Sequence, residues 1–245
     1  MKPTRTSPRD PPLILAFGAH PDDIEFGCGG VIARETLAGN AAHFVVCSRG
    51  EAGTHGSPAQ RSTEAKRSAA WLGATLEFLD LGGDACIEVR RAHVVKLAGL
   101  IRRVRAPIVL APTPVENQHP DHTALGRMVR EAARLARYGG VQALRRWPAH
   151  AIDQLLFYAI TVEAEPVGVP PVLIDVSAPR IHRAWREAMA AHASQARTRH
   201  YLELQEARAR VQGQRSGKTL AIALYPNDPL VFSSLTALGR AARHF

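Results

Sequence analysis

Short apolar runs, each leading into a segment with helical periodicity, constrain this chain more than any other feature. "PLILAFGA" reads as a buried parallel strand and "EFGCGGVIARETLAGN" as the helix after it, closed by Gly39-Asn40. "AHFVVCS" is a second strand. The Gly/Ser/Pro-rich loop "RGEAGTHGSPAQ" leads to the helix "RSTEAKRSAAWLG", the short strand "TLEFLDL" and the helix "RRAHVVKLAGLIRRVR". "PIVLAP" is a fourth strand and "DHTALGRMVREAARLAR" a fourth helix. This alternation predicts an α/β fold, Rossmann-like and doubly wound, with a mainly parallel sheet and helices on both faces. Later segments are less regular: "AIDQLLFYAI" and "PPVLIDVS" read as strands, "RIHRAWREAMAAHASQ" and "TRHYLELQEARARVQ" as helices. No linker-like stretch divides them, so residues 13–245 are expected to form a single domain. The proline-rich, polar residues 1–12 are expected to be a disordered arm.

Composition narrows the class. A chain of 245 residues, 46% of them hydrophobic, can bury a sizeable core. No stretch approaches the ~20 apolar residues of a membrane span. "LILAFGA" is too short for a signal peptide and runs straight into an acidic motif. Cys28, Cys47 and Cys86 form no CxxC pair and are odd in number, which fits a reducing cytoplasm. The net charge of +9 invites a nucleic-acid reading. Yet the arginines of "REAARLAR" and "LQEARARVQGQR" lie at helical spacing among alanines, as solvated helix faces do, and no aromatic-interleaved basic strand accompanies them. Neither a nucleic-acid nor a membrane partner is expected.

The chemistry concentrates in two stretches. "AHPDDIEFGCGG" follows the first strand and "NQHPDHTALG" follows the fourth. Ligands of open doubly wound sheets bind beyond the carboxyl ends of strands, where strand order reverses. In the order 3-2-1-4-5 the first and fourth strands are neighbours, so the two stretches face one another. A catalytic zinc takes three protein ligands and keeps a position open for water. His20, Asp23 and His122 supply such a set. Asp22 then remains beside the ion to take a proton from a water whose pKa zinc lowers toward about 7. Either motif alone reads equally well as helix capping; two of them at matching strand-to-helix junctions do not. The run Gly27-Cys28-Gly29-Gly30 comes after the acidic cluster rather than directly after the strand, which argues against a dinucleotide loop and for close helix–sheet packing.

At these residues the chain resembles the LmbE/PIG-L family of zinc-dependent N-deacetylases, whose signatures A-H-P-D-D-x-E and H-P-D-H stand here as Ala19 to Glu25 and His119 to His122. The likeness runs from about residue 13 to 136 and is closest to the branch with the bacillithiol-pathway deacetylases, through "RGEAGTHGSPAQRSTEAKRSAAWLGA" and "AHASQ". The resemblance implies zinc, or another divalent ion such as Fe2+, on His20, Asp23 and His122, with Asp22 as general base. It implies His119 as a cation for the oxyanion or the leaving amine, with Asp121 steadying it. Arg61 and Asp84 are implied as sugar contacts, and Glu25 as a residue orienting the first motif or the metal shell. His55 is better read as solvated or substrate-facing than as a fourth ligand, which would close the position water needs. The implied activity is removal of acetyl from an N-acetylglucosamine-type sugar or glycoconjugate by a homo-oligomer, often a hexamer. Two departures keep alternatives open. Where relatives carry a C-terminal tyrosine or histidine, this chain has "LAIAL", Leu220 to Leu224, and Gln118 stands where many have arginine. An amidase acting on a thiol conjugate or antibiotic intermediate, or a non-catalytic binding protein keeping the fold, are the other readings.

Overall fold

The computed structural model describes residues 14–195, 200–239 and 241–242; the expected N-terminal arm lies outside them. Strands β1 (Ile14–Gly18), β2 (Ala42–Val46), β3 (Thr75–Phe78), β4 (Ile108–Pro112) and β5 (Gln154–Tyr158) are mutually parallel. With β6 (Val172–Asp175) and β7 (Ala221–Pro226) they form one seven-stranded sheet in the order β3-β2-β1-β4-β5-β7-β6. β1 is the middle strand of the five parallel ones, with Ile14 paired to Ala42 on one side and to Ile108 on the other.

Both faces of β1 are covered, which is why its sequence is continuously apolar rather than alternating. Leu15 and Phe17 pack into the core under α3 (Arg91–Val104) and α4 (Pro120–Ala136). Ile14 and Ala16 point the other way, into the core under α1 (Asp23–Leu37), α2 (Pro58–Trp71), α5 (Pro179–Ala190) and α6 (Tyr201–Ser216). The glycines of α1 bring that helix onto the sheet. A Cβ on Gly27 would lie 2.0 Å from the Tyr158 ring, and one on Gly30 would lie 2.7 Å from Ile222.

The C-terminal part departs from expectation. Ala221 to Leu224 of "LAIAL" lie in β7, inserted antiparallel between β5 and β6. The sheet is therefore mixed at one edge. Helix α5 stops at Ala190, so "HASQ" is a turn rather than a helical end. Helix α2 starts three residues earlier than its apolar pattern shows, because Ser57 accepts the Gln60 N–H at 3.2 Å and Pro58 occupies the first turn. No helix among the described residues is long and apolar enough to cross a membrane.

Candidate active site

Because β1 and β4 are neighbours, the loops at their carboxyl ends meet. His20, Asp22, Asp23, Arg61, Asp84, His119 and His122 all line one cavity of about 390 Å³ there. Every cavity-facing side chain expected from sequence except Asp121 and His55 is in that lining.

The core of the site is a triangle of donor atoms. His20 Nδ1 is 3.1 Å from His122 Nε2, His122 Nε2 is 3.1 Å from Asp23 Oδ1, and His20 Nδ1 is 3.6 Å from the same oxygen. Three ligands at zinc bond lengths of about 2.0–2.1 Å stand about 3.3 Å apart on a tetrahedron. Two imidazole nitrogens and a carboxylate at these separations fit a divalent ion. Local structure holds Asp23 for the task. Its Oδ2 accepts the backbone N–H groups of Ala19 and His20 at 2.7 and 2.9 Å, which leaves Oδ1 for the triangle. Burial works against the Asp23 carboxylate, but His122 and His20 outweigh it and hold its pKa well below the usual range.

Asp22 occupies the junction into α1 with φ at +126°, a backbone setting that costs an L-residue on the order of 1–3 kcal/mol. Its side chain makes no capping hydrogen bond. Burial and the adjacent Asp23 push its carboxyl up to about 6, against the pull of Arg61, whose Nη2 is 3.5 Å away. His119, not Asp121, caps α4: its Nδ1 accepts the Asp121 N–H at 3.3 Å. That bond puts the ring proton on Nε2. Burial, His20 and His122 hold His119 below its usual pKa, so the expected resident cation is neutral at rest.

Asp121 differs from expectation. Its carboxylate is 3.0 Å from His20 Nε2, and only its backbone N–H reaches His119. Asp84 Oδ1 is also close to His20 Nε2, at 3.1 Å. Arg61 lines the cavity, yet its fork faces the protein, donating to Gly50 O at 3.3 Å and Pro21 O at 3.1 Å; Nε lacks a partner among the described residues. Glu25 is buried with Oε1 3.4 Å from His192 Nε2, and its carbonyl accepts from Trp185. Gln118 staples the β4–α4 turn through Thr113 O at 2.6 Å and Val115 O at 2.8 Å. His55 is exposed and belongs to no ligand group among the described residues. Sequence reasoning missed Phe26, Ile160, Thr161 and Tyr201 in the lining. Gln195, also there, had a signal in "AHASQ".

The family model described as PIG-L, GlcNAc-PI de-N-acetylase, matches residues 15–133. Diacetylchitobiose deacetylase of Thermococcus kodakarensis is 31% identical over 158 residues, 59% of each chain. 4-Oxalmesaconate hydratase of Pseudomonas putida is 30% identical over 138 residues, 51% of this chain and 53% of that one. The matched stretch thus spans less than two thirds of either relative. The fold match reaches further: the crystal structure of the conserved protein TT1542 from Thermus thermophilus superposes with a TM-score of 0.80 at 28% identity, covering 90% of this chain and 97% of that one. Both signature motifs, the matched region that contains them and the shared fold agree: over residues 15–133 the chain is similar to the PIG-L (LmbE-like) family.

Proposed function

We propose that the protein is a zinc-dependent hydrolase that removes the acetyl group from an N-acetylglucosamine-type amino sugar or glycoconjugate. The carrying observation is the donor triangle of His20, Asp23 and His122, with Asp22 and His119 lining the same cavity. The family and the relative named diacetylchitobiose deacetylase support the choice of an N-acetyl sugar.

A divalent ion on the triangle would acidify a water and polarise the acetamide carbonyl. Asp22 is placed to take the proton of the attacking water. With its carboxyl near 6, it is ionised at neutral pH yet basic enough to accept. His119, neutral with its proton on Nε2, donates a hydrogen bond to the oxygen as negative charge develops there. Asp22 returns its proton to the nitrogen as the C–N bond breaks, giving acetate and the free amine. The strained backbone at Asp22 keeps the carboxyl beside the cavity instead of folded back as a helix cap.

The test is a panel of N-acetyl sugars and glycosides assayed for amine release. Turnover should vanish on chelation and return with zinc. Turnover that ignores chelators sinks the reading. The hydratase relative supplies the second reading, since water can also add to a carbon–carbon double bond in such a cavity. Hydration of an unsaturated carboxylic acid with no release of amine from any panel member would favour it.

A further inference from the structure

We propose that Asp121 is a positioning residue of the metal centre, whose carboxylate orients His20 and clamps the 82–87 loop to it. The inference rests on reading His20, Asp23 and His122 as the ligands.

Asp121 is 2% exposed in the first turn of α4. Its Oδ2 lies 3.0 Å from His20 Nε2 and also accepts the Ala85 N–H at 2.8 Å; its Oδ1 accepts the Ile87 N–H at 3.3 Å. A ligand imidazole gives one nitrogen to the ion, and the other then carries a proton that needs an acceptor. His20 turns Nδ1 to the donor triangle, so Nε2–H faces Asp121. The other ligand histidine has no such support, because His122 Nδ1 is buried without a partner among the described residues. Carboxylate support therefore falls on His20. Nothing of the kind reaches His119 from the same residue, since the Asp121 backbone donates to its Nδ1.

The clamp has a second half. Gly82, Gly83 and Ala85 all have positive φ, at +115°, +90° and +61°. Ala85 carries a Cβ, so this turn is strained there and needs an external anchor. The Asp121 oxygens supply it at Ala85 and Ile87, Glu51 Oε2 accepts the Asp84 N–H between them at 2.9 Å, and the turn so anchored holds Asp84 with Oδ1 3.1 Å from His20 Nε2. One carboxylate thus meets both a ligand and the turn that carries a cavity-lining acid.

Asp121→Asn is the informative variant. An amide keeps one acceptor and turns the other end into a donor, so in either flip a donor faces His20 and Ala85 or faces Ile87. Zinc affinity of the chelator-stripped full chain is measured by competition with a chromophoric chelator. Asp121→Asn should weaken zinc about 10–100-fold, while His119→Ala stays within about threefold of wild type. Hydrogen exchange on the zinc-free proteins should show the Ala85 and Ile87 amides protected in wild type and fast in Asp121→Asn. If Asp121→Asn fails to fold, Asp121→Glu keeps the charge but displaces both oxygens, and it should weaken zinc in the same direction. A variant that binds zinc like wild type, with slow Ala85 and Ile87 amides or a pH–rate profile copying His119→Ala, overturns the inference. A wild-type chain that takes up no zinc overturns the ligand reading beneath it and the inference together.

Discussion

His20 Nδ1 and His122 Nε2 lie 3.1 Å apart across 102 residues of sequence. Two buried imidazole nitrogens facing each other beside a carboxylate share at most a proton between them unless a cation joins them. Sheet order creates the encounter, since β1 and β4 are adjacent and each ends in a histidine-bearing turn.

His122→Ala should therefore abolish metal binding rather than merely slow the reaction. It removes one of the three proposed ligands and leaves Asp23 Oδ1 facing a single imidazole. The purified variant, analysed by elemental mass spectrometry after zinc loading, should carry far less than one equivalent. One full equivalent, tightly held, would place the ion elsewhere.

Asp22→Asn should separate chemistry from metal binding. Loss of a general base costs roughly 10²–10⁴-fold in turnover, and zinc content should stay at the wild-type level. Stability should move the opposite way. The folded Asp22 carboxyl sits at about 6 against an ordinary 3.8, so the folded state holds its proton more tightly than the unfolded chain does. Ionisation of Asp22 then costs zinc-free stability progressively as pH rises from about 4 to about 6, and the full loss persists above that. The asparagine variant escapes this loss, gaining on the order of 2–3 kcal/mol at pH 7 and nothing near pH 4. Thermal melts of the zinc-free proteins across that range decide it. A variant less stable than wild type at pH 7 would mean that Arg61 stabilises the carboxylate more than burial and Asp23 oppose it.

Arg61→Ala bears on the same carboxyl. Arg61 lowers the Asp22 pKa, so its loss should raise it, and the acid limb of kcat/KM should move to higher pH with zinc content unchanged. Arg61→Lys should not restore the wild-type profile. One ammonium cannot reproduce a planar fork that spans Gly50 O, Pro21 O and the two carboxylates. An unmoved limb in Arg61→Ala would leave Arg61 a purely structural anchor for the 49–57 loop.

The parts legible in the sequence share a physical property: their signals are local. β1, β2 and β4 are apolar runs because both faces are covered, and the His/Asp motifs stand at the carboxyl ends of β1 and β4. β7 carries a similar run, "AIALYP", but nothing local tells an antiparallel insertion from a buried connection. The cavity wall made by Phe26, Ile160, Thr161 and Tyr201 gathers from separate stretches that no periodicity links. Asp121 shows the same limit at the scale of one side chain. Its position was readable, but which histidine its carboxylate meets depends on how α4 enters from the Gln118-stapled turn.

That entry rests on Gly126. A Cβ there would lie 2.4 Å from Pro112 O and 3.1 Å from Pro114 N, and backbone atoms at the end of β4 cannot swing aside as a flexible side chain would. Gly126→Ala must lift the first turns of α4 off β4, and those turns carry His119, Asp121 and His122. Overpacking of this kind costs about 1–3 kcal/mol, and the displacement should weaken zinc binding as well. Gly99 in α3 provides the control on the same face of the sheet. A Cβ there meets only Leu144 Cδ2 at 3.5 Å, an ordinary contact. Gly99→Ala should therefore stabilise by about 0.5–1 kcal/mol through lost backbone entropy in the unfolded chain, leaving zinc affinity alone. Thermal melts and chelator competition on the two variants give the comparison. If Gly126→Ala keeps wild-type zinc affinity, the close approach of α4 to β4 does not govern the metal centre.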